Sequence, residues 1–159
     1  MKYLLTFLVL TIFISCNQKQ ENNSGASTST LDIPAELAKI EQVRASFQQT
    51  VKEKRYNELG KFVTPDLISI GPGSEDWVAY RKLRELQGNK FRYDSIIMRP
   101  KETVILSDTM AYDFGVSSVY YTDDKGIVHE LDDSFLVIMK KTKEGEWKLY
   151  RELASSLVP

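Results

Sequence analysis

The stretch from Ile127 to Ser156, IVHELDDSFLVIMKKTKEGEWKLYRELASS, restricts the fold more than any other part of the chain. Phe135, Leu136, Val137, Ile138 and Met139 form an unbroken apolar run that is too short to cross a membrane. A strand apolar on both faces usually lies inside a sheet and is covered on both sides. Lys143-Glu144-Gly145-Glu146 then supplies a glycine-bearing turn. After the turn, alternation puts Trp147, Leu149, Arg151 and Leu153 on one face, with Lys148, Tyr150 and Glu152 on the other. The stretch predicts a long hairpin, and the rest of the chain must lay something over each of its faces.

The first thirty residues do not supply that cover. Lys2 is a short positive segment, and Tyr3 to Ile14 is an apolar run of signal-peptide length. Phe13-Ile14-Ser15-Cys16 resembles a bacterial lipobox, in which a small residue precedes a cysteine that becomes the lipidated N-terminus. Phe13 departs from the commoner leucine at its position, and the alternative is an ordinary secretory signal cut elsewhere. Lipoprotein processing adds more than one acyl chain, enough for a stable anchor. The resemblance implies a signal over 1–16 and a lipid-anchored, exported protein of the bacterial cell envelope. Residues 17–30, NQKQENNSGASTST, lack apolar periodicity and read as a disordered polar tether. The folded domain is expected over 31–159.

Three helices are expected next. Asp32 and Pro34 open the first, with Leu37, Ile40, Val43, Phe47 and Val51 as its apolar stripe. Lys39, Glu41, Gln42, Arg44, Gln48 and Gln49 are assigned to its solvent face. A short helix runs from about Arg55 to Phe62 and stops at Pro65. Leu67 to Ile70 is a short strand, Gly71-Pro72-Gly73 a turn, and Ser74 the cap of a third helix carrying Trp77, Tyr80 and Leu83. Strands follow: Phe91 to Met98, Glu102 to Leu106, Met110 to Tyr121, and the opening hairpin. Helices followed by an antiparallel meander make an α+β layer fold, with helices on one face of a curved sheet.

Composition removes some functions. The formal net charge is −1 with no basic stripe, so nucleic acid is not an expected partner. Cys16 and His129 are the only cysteine and histidine, which excludes an internal disulfide and leaves no ligand set for structural zinc. No metal and no cofactor is expected.

The order and spacing of these motifs resemble the nuclear transport factor 2-like (NTF2-like) superfamily, and within it the small bacterial domains grouped as DUF4440 or SnoaL-like. The likeness is carried by Phe62-Val63-Thr64-Pro65-Asp66, Gly71-Pro72-Gly73, Ser107 to Gly115, Phe135 to Lys141, and Gly145 to Glu152. It implies a cone-shaped fold with a pocket between the helices and the concave sheet face. It also implies a homodimer through the convex face. The fold hosts isomerases, cyclases, dehydratases and noncatalytic binders, so it does not choose among them. The base aspartate of the related ketosteroid isomerases aligns with Gly71, and no tyrosine stands between Leu37 and Val51 to serve their oxyanion hole.

The pocket candidates are Trp77, Tyr80, Asp113, Tyr150 and Glu152. Asp113 interrupts an apolar strand, sharing a face with Gly115 and Ser117. It is either a general base in an apolar pocket or an exposed aspartate. Tyr150 is either a donor that positions a ligand or a rim residue. Trp77 and Tyr80 are either core or a stacking surface for a flat ligand. Glu130, Asp132 and Asp133 read as a solvated strand start, with one member able to face the pocket mouth. His129 reads as a surface residue. Two functions follow: noncatalytic binding of a small apolar or amphipathic ligand or a partner protein, or a small lyase, isomerase or cyclase using Asp113. A buried carboxylate bonded to a second polar side chain inside a pocket would count against the first.

Overall fold

Asp32 caps the first helix as expected: its Oδ1 accepts from the Ala35 backbone N–H at 3.1 Å, and Pro34 falls in the first turn. The computed structural model describes residues 31–88 and 93–157. The signal, the tether and the expected strand start at Phe91 lie outside the described residues. The elements are α1 (Ile33–Lys52), a 3-10 helix (Tyr56–Phe62), β1 (Val63–Ile70), α2 (Glu75–Leu86), β2 (Ser95–Ile105), β3 (Met110–Thr122), β4 (Val128–Lys141) and β5 (Trp147–Ser156). The sheet order is β1-β5-β4-β3-β2, with β1 parallel to β5 and every other pair antiparallel. The expected hairpin is therefore β4–β5, and β4 occupies the middle of the sheet. The fold is α+β, with helices against a mostly antiparallel sheet.

Along β4 the odd residues Leu131, Asp133, Phe135, Val137 and Met139 are buried, while the even residues face out. Ile40 of α1 packs with Ala111, Phe135, Val137, Met139 and Trp147 in one core cluster. Trp77 and Tyr80 of α2 pack with Val119, Tyr121 and Leu131 in a second.

Four local expectations are corrected. Arg44, assigned to solvent, is buried, because it stands one turn beyond Ile40 over the sheet and finds an acid there. Gln48 also turns inward, its Oε1 accepting from the Met98 backbone N–H at 2.8 Å. Ser74 holds the N-cap position of α2, but its hydroxyl bonds Asp76 and Ser156 and not a helix amide. The two strands expected on either side of Pro100 are one strand, β2. Pro100 is tolerated because β2 is an edge strand and its register slips between Pro100 and Glu102. Opposite stands Gly115, where an added Cβ would meet the Arg99 carbonyl oxygen at 2.4 Å, so only glycine admits this close crossing.

A bulge in β5 has the largest consequence. Ile138 pairs with Arg151, but Met139 pairs with Leu149, leaving Tyr150 as the extra residue. The alternation reverses there. Trp147 and Leu149 turn to the helices before it, and Glu152 and Ala154 do so after it. The expected face of Trp147, Leu149, Arg151 and Leu153 is thus split, and Leu153 ends up exposed.

Candidate functional site

The inward rows of β3, β4 and β5 do not close completely on α1 and the 3-10 helix. A cavity of about 500 Å³ remains between them. Ile40, Val43, Phe47, Phe62, Phe135 and Val137 are among its apolar walls. The volume is that of a small-molecule site.

Polar groups enter this cavity at separate places. Asp113 on β3 is 3% exposed and meets Arg44 of α1: Nε and Nη2 donate to its Oδ2 at 3.0 and 2.8 Å. Thr103 Oγ1 on β2 donates to Asp113 Oδ1 at 2.8 Å, and Arg44 also pairs with Glu41. This buried ion pair is internally satisfied, as a buried charge has to be. Four residues further along β3, Ser117 stands directly across from Asp133 on β4 and donates its hydroxyl proton to Asp133 Oδ1. Asp133 is 6% exposed. Burial raises its carboxyl above the usual aspartate range; the Ser117 bond opposes this, and the Glu152 and Asp132 carboxylates add to the rise. Glu152 on β5 accepts from Ser69 Oγ of β1 at 2.5 Å, tying the parallel edge strand to the cavity wall.

Two of the five sequence candidates, Asp113 and Glu152, line the cavity. Asp113 points inward, but the oxygens that a base would use are occupied by Arg44 and Thr103. Tyr150 is not a lining residue. The bulge turns it to the outer face, where Lys140 and Arg151 lie against its ring at 5.2 and 3.6 Å. Trp77 and Tyr80 belong to the second core cluster, not to the cavity wall, and Trp77 Nε1 is bound to the Asp132 carbonyl at 3.3 Å. His129, read as a surface residue, is half-exposed, stacks on Tyr121 and bonds Asp123 at 3.0 Å. Sequence reasoning missed Arg44 and passed over Asp133 within the acidic run. Counting by two from Phe135 already places Asp133 on the buried face.

No family model matches the chain, and no curated protein does. Solved structures match its fold. A ketosteroid isomerase-like protein from Erwinia carotovora atroseptica SCRI1043 superposes with a TM-score of 0.58 at 21% identity, covering 78% of this chain and 98% of that one. A conserved protein from Planctomyces limnophilus DSM 3776 gives 0.61 at 21% identity, with 78% and 98% covered. An NTF-2 like protein of unknown function from Shewanella oneidensis MR-1 gives 0.56 at 16% identity, with 76% and 98% covered.

Removing one partner of the buried pair tests its role. Arg44→Met strands the Asp113 charge and is expected to lower unfolding free energy by about 3–5 kcal/mol. Arg44→Met with Asp113→Leu should recover most of that loss. Urea denaturation measures both, and a single variant no weaker than the double would contradict the assignment.

Proposed function

We propose that the domain binds a small amphipathic molecule in the cavity, its apolar body against Phe47, Phe62 and Phe135 and its polar end at Asp133 and Ser117. The observation that carries this reading is a cavity of ligand size with largely apolar walls. The buried Asp133 carboxylate bonded to Ser117 counts against binding alone. The same carboxylate favours a second reading, in which the site also moves a proton. A carboxyl raised by burial is a candidate for general acid or base work. Asp133 is the group for that role, since Asp113 is held by Arg44.

Binding is measured with N-phenyl-1-naphthylamine, a neutral apolar dye that brightens on leaving water. The protein should enhance its fluorescence, and Met98→Trp, which fills the cavity from β2, should remove most of the enhancement while the circular dichroism stays unchanged. Equal enhancement by both proteins would reject the cavity as the site.

A homodimer through the outer sheet face is part of the proposal. Phe114, Leu136, Leu153 and Ile70 stand side by side across four strands, exposed by 38, 40, 54 and 60%. Glu130 and Asp132 flank this row on one side along the strands, Lys140 and Lys148 on the other. A two-fold axis across the strands would bury the apolar row against its copy and set acids over bases. Sedimentation of the unit from Leu31 onward should give a dimer that Leu136→Lys splits. A wild-type monomer at high concentration would refute it.

Anchoring at Cys16 in the bacterial envelope is proposed from the sequence. Cys16→Ser should abolish labelling by radioactive palmitate and move the protein out of the membrane fraction. Labelling retained in the variant would overturn the anchor.

A further inference from the structure

The charges around the cavity select the kind of polar end that the ligand carries. Its lining residues include three carboxylates, Asp113, Asp133 and Glu152, and two guanidinium groups, Arg44 and Arg84. Arg44 is already engaged by Asp113, Thr103 and Glu41, so it offers no site for an incoming anion. Arg84 reaches the cavity from α2 with its guanidinium 5.8 Å from the Tyr80 ring centre. Asp133 and Glu152 each receive a hydroxyl proton, from Ser117 and Ser69 respectively. A carboxylate has room for about four hydrogen bonds, so each keeps acceptor capacity toward the cavity.

We propose that the cavity is built for a cationic amphiphile, an aliphatic amine whose ammonium sits between Asp133 and Glu152 and whose apolar body fills the Phe47, Phe62 and Phe135 end. The inference rests on the binding reading above and names the ligand class for that site. An ammonium brings three donors to two carboxylates that each accept from a serine hydroxyl, and charge-assisted bonds are the stronger kind. The aromatic walls suit a cation as well as an alkyl chain. With Asp113 and Arg44 paired off, the lining keeps two carboxylates, Asp133 and Glu152, against one guanidinium, Arg84, so a carboxylate ligand would add to an excess of negative charge.

The groups around Asp133 set the pH dependence. Ser117 faces it from β3, Glu152 from β5 and Tyr93 from the segment before β2, Asp132 lies beside it on β4, and Arg84 of α2 lines the same cavity. Binding a cation favours ionised Asp133, so amine affinity rises as pH rises through the Asp133 titration. A neutral alcohol accepting a proton from un-ionised Asp133 would show the opposite trend.

Calorimetry on the full chain with octylamine, octanol and octanoate, each below its micelle concentration, tests the inference. Octylamine should bind at least about tenfold more tightly than either of the others, the difference between a charged and a neutral hydrogen bond. Its affinity should increase as pH rises through and above the usual aspartate range, because burial raises the Asp133 carboxyl. Asp133→Asn should remove both the preference and the pH trend while octanol still binds. Should the first variant not fold, Glu152→Gln should likewise remove the preference, with the pH trend left to Asp133. Octanol or octanoate matching octylamine would overturn the ammonium site and leave the binding reading standing, as would a preference that survives in both variants. Failure of all three ligands, with no dye enhancement either, would overturn both.

Discussion

The register between β3 and β4 is the constraint on which the site depends. These strands pair without interruption from Met110–Lys140 to Thr122–Val128. That register puts Ser117 across from Asp133 and points Asp113 at α1. A slip of β4 by one residue would send Asp133 to the outer face and turn Leu136 inward. Two sets of contacts on the inner face oppose the slip. Phe135, Val137 and Met139 bury an apolar row, and the Arg44–Asp113 and Ser117–Asp133 contacts each need one alignment.

Charge as well as apolar area docks α1 onto this ladder. Glu36, one turn before Ile40, meets Lys141 at 2.6 Å and the Trp147 indole N–H at 2.7 Å, and these partners with Lys39 hold its carboxyl down at about 2. Arg44, one turn after Ile40, meets Asp113. The helix is thus held by an acid toward one end and a base further along, with an isoleucine between. Buried ion pairs contribute little net stability, but an unpaired one is costly, so the pairs select a single docking position. The cavity survives because α1 is fixed at these points and does not collapse further onto the sheet.

Much of the fold was legible in the sequence. The helix order, the β4–β5 hairpin and the central place of β4 follow from periodicity and from the Phe135–Met139 run. What misled was local irregularity. A bulge adds one residue at Tyr150 and inverts the faces of β5, and nothing in the run Trp147–Glu152 marks it. The Pro100 interruption looked like a strand end, yet an edge strand needs no amide there. Of the site, Asp113 and Glu152 could be named in advance, and Asp133 was within reach of the same alternation. That Asp113 is engaged by Arg44 could not be foreseen, because the two are 69 residues apart.

The sequence by itself determined the layer architecture, the exclusion of structural zinc and the lack of a basic surface, because these depend on composition and on periodicity within single elements. Only the tertiary structure decided which carboxylate is held by a guanidinium and which by a hydroxyl. Asp113 and Asp133 both sit in strands and both face inward. They differ in what stands opposite, an arginine from α1 for one and a serine and a second acid for the other. That difference is made by contacts between distant segments, and a carboxylate takes its chemistry from those neighbours.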